Sequence, residues 1–346
     1  MALLPQSLRD AEPKRGLDAA HVDRAAPNGS LAIPTAPVAL VTRPCPVIAM
    51  FSFLPGVVIL TLTSLLALLN TLILVPVLLL FAVIKLLIPI PAVRRLLSRL
   101  IILVAETWIG VNNAMIRLFT RDQHWDLSGG EHLKRDGWYL VLSNHQSWVD
   151  ILVLQYVCNQ RIPILKFFLK NQLIWVPFLG LAWWALDFPF MKRYSREHLE
   201  KHPELRGKDV EATRRACQKF AELPVSVMNF VEGTRFTPGK HARQQSPFQH
   251  LLKPKVGGVA FVLETMGEML RSIIDITIVY PDGRPTLTDL LSGRVNRVRI
   301  HVQRREIPQE LLGGNYETDL AVRERFQQWI NAIWAEKDQL IESLQA

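Results

Sequence analysis

The sequence predicts an α/β protein, a mixed sheet flanked by helices and preceded by a hydrophobic membrane helix or hairpin. Three observations carry this. No charged residue occurs from Pro44 to Ile84, well beyond the about 20 apolar residues that one spanning helix needs. From about Asp126 onward, short apolar runs at Trp138–Ser143, Ser226–Val231, Ile273–Tyr280 and Val298–Val302 alternate with helical stretches, among them Asp209–Leu223, the order of an α/β domain. The chain closes on Asp319–Leu344, where Phe326, Trp329, Ile330, Ile333 and Trp334 share one helical face.

In chain order, residues 1–46 mix Pro, Ala, Arg and Asp without an apolar period and read as a disordered leader. The apolar run behind them is too long for the core of a secretory signal, and Met50 is a second candidate start. Residues 47–91 form the membrane segment, long enough for two helices. Asn70 near its middle and Pro76 after it suit a tight hairpin or a kink, and one tilted helix is the alternative. Arg43 lies on one side, with Lys85, Arg94, Arg95 and Arg99 on the other, an arrangement that favours both ends on the cytoplasmic face. Residues 92–125 continue as an amphipathic connecting helix, with Leu96, Leu97, Leu100, Val104 and Trp108 at three- and four-residue spacing. The folded domain is expected over 126–310, with 311–346 as a C-terminal helix packed on it. A further apolar run, Leu173–Phe190, is broken by Pro177, Gly180, Pro189 and Asp187; it reads as a buried helix and turn lining a lipid-chain pocket.

The 346 residues carry 40 Lys and Arg against 31 Asp and Glu, a formal charge of +9. Basic residues flanking a long apolar run point to anionic lipid, and no nucleic-acid motif accompanies the charge. Cys45, Cys158 and Cys217 are widely spaced, without metal-ligand spacing, and read as reduced thiols facing the cytoplasm.

The candidate chemistry sits at strand ends. Ser143-Asn144-His145-Gln146-Ser147-Trp148-Val149-Asp150 follows one strand and opens an apolar helix. A His at such a corner, oriented by a carboxylate one turn into the helix, is a competent base for a hydroxyl. The same Ser147 and Asp150 also fit a plain helix cap, and no third ligand is near for a metal. Phe230-Val231-Glu232-Gly233-Thr234-Arg235-Phe236 ends a second strand. Gly233 allows close backbone approach, Arg235 offers a planar fork for a phosphate, and Glu232 orients that Arg or accepts from a substrate hydroxyl; a surface turn with an Arg–Glu pair is the bland reading. Lys192-Arg193 lies beside the apolar run, and Ile278-Val279-Tyr280-Pro281 leads a buried strand into a turn.

Taken in order, these blocks resemble the glycerolipid acyltransferase superfamily that includes the PlsC-type 1-acylglycerol-3-phosphate (lysophosphatidate) acyltransferases. His145 and Asp150 are similar to its His-x(4)-Asp block, Lys192-Arg193 to its second, Glu232-Gly233-Thr234-Arg235 to its third and Ile278-Val279-Tyr280-Pro281 to its fourth, with Tyr280 where many members have a shorter residue. Lys170 with Pro177, Phe178 and Gly180, and Lys253-Pro254-Lys255 with Gly257-Gly258, also resemble the family. The tail Trp334-Ala335-Glu336-Lys337-Asp338 is similar to the YihG-like branch.

The resemblance implies direct acyl transfer from acyl-CoA or acyl-carrier protein to the sn-2 hydroxyl of lysophosphatidate, with no cofactor and no metal. In that scheme His145 is the base, Asp150 holds it, and Arg235 with Arg193 clamps the acceptor phosphate, with Glu232, Gly233 and Thr234 in the same substrate-binding loop. Lys170 and Asn144 are candidates for the oxyanion or the phosphate. It also implies a bacterial inner-membrane protein whose catalytic domain faces the cytoplasm. Trp175, Trp183 and Trp184 beside Phe178 and Phe188 are candidates for an apolar wall, or for ordinary core. Other acceptors (another lysophospholipid, glycerol 3-phosphate, a lipid without phosphate), hydrolysis by water, and a silent membrane scaffold are the competing readings.

Overall fold

The computed structural model describes residues 51, 53–120, 123–131, 133–191, 220, 223–312, 314, 316 and 319–345. The leader, Cys45, Lys192, Arg193, Cys217 and most of the expected helix at 209–223 lie outside these residues.

A helix α1 (Gly56–Leu87, 32 residues) is followed, after a turn of three residues, by α2 (Pro91–Phe119, 29 residues). Both are long and apolar enough to cross a membrane. The chain does not reverse at Asn70 or Pro76. Pro76 sits inside α1, and Asn70 donates its amide to Trp108 O (3.0 Å) and Asn112 Oδ1 (3.0 Å) on α2. Trp108 Nε1 donates in turn to Thr71 Oγ1 (3.1 Å). Polar side chains in an apolar helix thus cross-link the pair rather than end it. The reversal lies at Ile88–Ile90, where Pro89 and Pro91 remove the amides a continuing helix needs.

The domain behind the hairpin is built on a six-stranded sheet. Its strands are β1 (His124–Gly129), β2 (Tyr139–Ser143), β3 (Leu165–Phe167), β6 (Ser226–Phe230), β7 (Ser272–Val279) and β8 (Arg297–Arg305), in spatial order β1-β8-β7-β2-β6-β3. Among the described residues only β7 and β8 pair antiparallel in this sheet; its other pairs are parallel. A separate short pair joins β4 (Leu169–Lys170) and β5 (Phe190–Met191). Period-two alternation divides the sheet's side chains between two cores. Leu140, Leu142, Val227 and Ile273 face a core with Val259 and Leu263 of α6 (Gly257–Met266) and Phe326, Ile330 and Trp334 of α8 (Leu320–Gln345). Val141, Met228, Ile274 and Ile276 face the other, with Val149, Val153 and Val157 of α3 (Val149–Cys158). Cys158, buried here, has its thiol pushed up to about 12 by desolvation and stays protonated.

The hairpin packs on this domain through Val75, Leu78, Ile101 and Ala105 against Ala182, Ala185 and Leu186 of the α4 region (α4, Leu179–Ala185). Gly180 is required there, because a Cβ would stand 2.0 Å from Ile174 O. Polar ties reinforce the contact. Thr63 Oγ1 donates to Leu291 O (2.5 Å), at the end of α7 (Leu287–Leu291), and Lys85 pairs with Asp187 (3.0 Å). Leu65, Leu69, Leu72, Ile73, Leu80 and Leu87 remain exposed on α1.

Candidate active site

Strands β7, β2 and β6 are neighbours and parallel. Their C-terminal ends therefore meet at one edge, and the loops leaving them carry the first, third and fourth sequence blocks.

The loop after β2 is stapled to the end of β7. Asn144 is fully buried, donating to Ile278 O (2.9 Å) and accepting from Ile278 N–H (2.9 Å). Its carboxamide acts as an added rung of the sheet. Gln146 Nε2 also donates to Ile278 O (3.0 Å), and Ser147 Oγ to Pro285 O (2.5 Å).

On this support sits the His–Asp pair. Asp150, in the first turn of α3, is 0% exposed. Its Oδ2 accepts from His145 Nδ1 (2.8 Å) and from the amides of Gln146 (2.5 Å) and Ser147 (2.8 Å). Ser147 Oγ accepts from Val149 N–H (3.1 Å). Capping and imidazole orientation are thus one arrangement, since the same carboxylate oxygen serves both. With Asp150 ionised, Nδ1 carries the proton and Nε2 the lone pair. The ring stacks on Phe230 at 3.9 Å between centroids and 14° between planes, which leaves Nε2 free to face a ligand.

The loop after β6 surrounds the pair. Glu232 is fully buried and accepts from the amides of His145 (3.0 Å) and Leu252 (3.0 Å). Both carboxylate oxygens are engaged by these backbone amides, so it holds the backbone of the base. Burial pushes its carboxyl up to about 7, against the pull of the two amide donors. Gly233 adopts φ +66°, where side chains are disfavoured, with Lys255 packed close against it. Phe236 N–H donates to His145 O (2.7 Å), locking the third block to the first. The exposed Arg235 lies with its guanidinium carbon 4.6 Å above the ring of Trp148, within the His–Asp loop.

Sequence reasoning missed several neighbours. Lys240, on α5 (Pro238–Gln244), donates to Thr234 Oγ1 (2.7 Å) and Arg235 O (2.9 Å). Arg284 stacks 4.1 Å from the Phe236 ring centre, and desolvation lowers its pKa. With Arg235 and Lys255 they surround the Gly233 loop with positive charge. The only sequence signal was a high local density of basic residues, which is common on solvated surfaces.

His145, Trp148 and Phe230 close one end of a cavity of about 670 Å³, within the about 300–1,000 Å³ range of ligand pockets. Its walls come from Leu74, Val75 and Leu78 of α1, Val104 and Ile109 of α2, and the stretch after β3. Lys170 lines it as an exposed side chain. Of the expected aromatic wall, Trp183 and Phe188 line this cavity, while Trp175 points to solvent, 84% exposed.

Residues 124–283 match the family model described as Acyltransferase. The chain is 28% identical over 239 residues to 1-acyl-sn-glycerol-3-phosphate acyltransferase gamma of Mus musculus, a match covering 65% of this chain and 56% of that protein. It is 23% identical over 256 residues to 1-acyl-sn-glycerol-3-phosphate acyltransferase delta of Homo sapiens, covering 70% of this chain and 60% of that one. The chain therefore spans little more than half the length of these relatives. Among solved structures, the 1-acyl-sn-glycerophosphate (LPA) acyltransferase PlsC from Thermotoga maritima overlaps 84% of this chain and 97% of its own, with TM-score 0.47 and 15% identity.

Proposed function

We propose, from the match of residues 124–283 to the Acyltransferase family model, that the chain moves a fatty acyl group from an acyl-CoA or acyl-carrier-protein thioester to the sn-2 hydroxyl of lysophosphatidate, giving phosphatidate. The observation that supports this most directly is an imidazole held at Nδ1 by a buried carboxylate and lining an apolar cavity (2.8 Å). Nε2 takes the hydroxyl proton as the oxygen attacks the thioester carbonyl. The tetrahedral intermediate expels the thiolate, and the imidazolium returns its proton to that sulfur, so no acyl-enzyme forms. Base assistance of this kind contributes about 10²–10⁴ in rate.

The cavity between the hairpin and the domain takes the acyl chain, and Arg235, lying over Trp148, takes the acceptor phosphate. A carboxyl-ester product and both lipid substrates favour a membrane setting, with the domain on the cytoplasmic side of a bacterial inner membrane. The outer walls belong to α1 and α2, so a chain can enter directly from lipid.

The test is a panel of acceptors in mixed micelles with a labelled acyl-CoA. Lysophosphatidate is expected to be acylated best, ahead of other lysophospholipids, glycerol 3-phosphate and monoacylglycerol; equal use of monoacylglycerol sinks the phosphate reading. Arg235→Ala is expected to raise the apparent KM for lysophosphatidate by roughly 10- to 100-fold, the loss of one charge-assisted contact, and to leave the KM for monoacylglycerol unchanged. An unchanged lysophosphatidate KM dismisses the clamp.

A further inference from the structure

The oxygen of Asp150 that does not touch His145 is also occupied. Tyr280 Oη donates to Asp150 Oδ1 at 2.6 Å, from a side chain that is itself buried. Tyr280 follows the last residue of β7, within the fourth sequence block. A phenol at that position spans from the end of β7 to the first turn of α3, a reach that an aliphatic side chain cannot replace with a donor.

We propose that Tyr280 is a positioning residue that sets the basicity of His145 through Asp150, so that the working unit is a Tyr–Asp–His relay rather than a His–Asp pair. This rests on the reading of His145 as the base. Asp150 receives four donors: Tyr280 on Oδ1, and His145 with two backbone amides on Oδ2. Each donor draws charge from the carboxylate, and the less charge Asp150 presents at Oδ2, the less it stabilises the imidazolium. The phenol is a permanent donor. Burial and the adjacent carboxylate both hold its own proton well above the ordinary tyrosine range. It also fixes the carboxylate plane, which the two amides on one oxygen cannot do alone.

The charged groups around this relay come from several elements. Glu232, in the loop after β6, bonds the His145 amide and lies near enough to Asp150 for their charges to interact. Arg235 lies over Trp148, and Lys170 on β4 lines the cavity that His145 closes. Lys337 on α8 and Arg284 after β7 act on Glu232. None of these is altered by removing one phenolic hydroxyl.

The experiment compares wild type, Tyr280→Phe and a protein with 3-fluorotyrosine incorporated at 280, all in detergent micelles. Two quantities are read: the pH profile of kcat/KM for acyl transfer, and the titration of the His145 imidazole by ¹⁵N NMR. Activity requires a neutral imidazole, so the acid limb rises as pH passes the His145 pKa. Tyr280→Phe is expected to move that limb and the NMR titration to higher pH by about one unit, with the plateau rate falling about tenfold as the carboxylate loosens. Fluorotyrosine, a more acidic donor of nearly the same shape, is expected to move both to lower pH, and it keeps the question answerable where the Phe variant fails to fold. Uniform loss of rate with neither quantity shifted overturns the relay and leaves Tyr280 a packing residue. A shifted NMR titration with an unshifted rate limb upholds the relay and instead removes His145 as the kinetic base, so the two failures are distinguishable.

Discussion

Replacing His145 by Ala is expected to lower acyl transfer at least about a hundredfold while leaving the folded domain intact. The residue is held from three sides: Asp150 at Nδ1 (2.8 Å), Phe230 across the ring face (3.9 Å) and Glu232 at the backbone amide (3.0 Å). Only the first two are lost on truncation. Asp150 keeps its two backbone amides and the Tyr280 hydroxyl, so the carboxylate is not left bare and the capped start of α3 survives. Position and chemistry are thereby separable, and the loss should fall on kcat rather than on acceptor binding. Comparing turnover of labelled acyl-CoA at saturating lysophosphatidate checks it, with circular dichroism as the control. Turnover within a few-fold of wild type would leave the loop without its chemical role.

The largest stability effect is expected at Lys337, a fully buried ammonium on α8. Its Nζ pairs with Asp275 (2.7 Å) and donates to Ile276 O (2.9 Å) and Thr277 Oγ1 (2.9 Å), all on β7. Asp275 is held also by Arg305 (3.0 Å), which reaches on to Glu336 (2.7 Å). Lys337→Ala removes one partner of a buried pair and opens a void, which typically costs about 3–5 kcal/mol, a large part of the about 5–15 kcal/mol of a whole domain. Arg305 remains for Asp275, which places the expected loss at the lower end. Urea unfolding in detergent measures it, and a midpoint unchanged from wild type would show that the pair contributes nothing net. The companion Lys337→Met with Asp275→Asn is expected to recover most of the loss, because no unpaired charge is then buried. The next residue, Asp338, accepts from the amides of Gln249 and His250 (both 2.7 Å), two residues before the Leu252 amide that binds Glu232. One turn of α8 therefore steadies both β7 and the loop behind the base.

The sheet's central strands were legible because β2, β6 and β7 are short, mainly apolar runs, β2 and β7 buried along their length and β6 over its first three residues. Strand β1, His-Trp-Asp-Leu-Ser-Gly, carries no such pattern, and its pairing with β8 is purely tertiary. Of the readings of residues 47–91, the single helix holds, and a reversal at Asn70 fails for a physical reason. Asn70 reads as a turn former in water, yet between two apolar helices its amide finds Trp108 O and Asn112, and the true turn was masked by the Leu and Ile around Pro89. In the site, the His145–Asp150 contact follows from one loop and one helical turn, both local. Glu232 was read with its neighbour Arg235, whereas its partners are the amides of residues 145 and 252, distances that only the folded sheet creates. Lys337 did leave a trace, for it falls on the inward stripe between Trp334 and Ile341. A lysine there is ordinarily read as a break in the pattern rather than as an occupant of the core.

The two ties on α1 have a mechanical consequence. Thr63 is fastened near one end and Lys85 near the other, about 33 Å apart along the helix axis at 1.5 Å per residue. A rod fastened at two places so far apart can neither swing nor slide against the domain without breaking one of the ties. The exposed Leu65, Leu69, Leu72 and Leu80 therefore keep one fixed bearing relative to the catalytic edge, whatever apolar surface covers them.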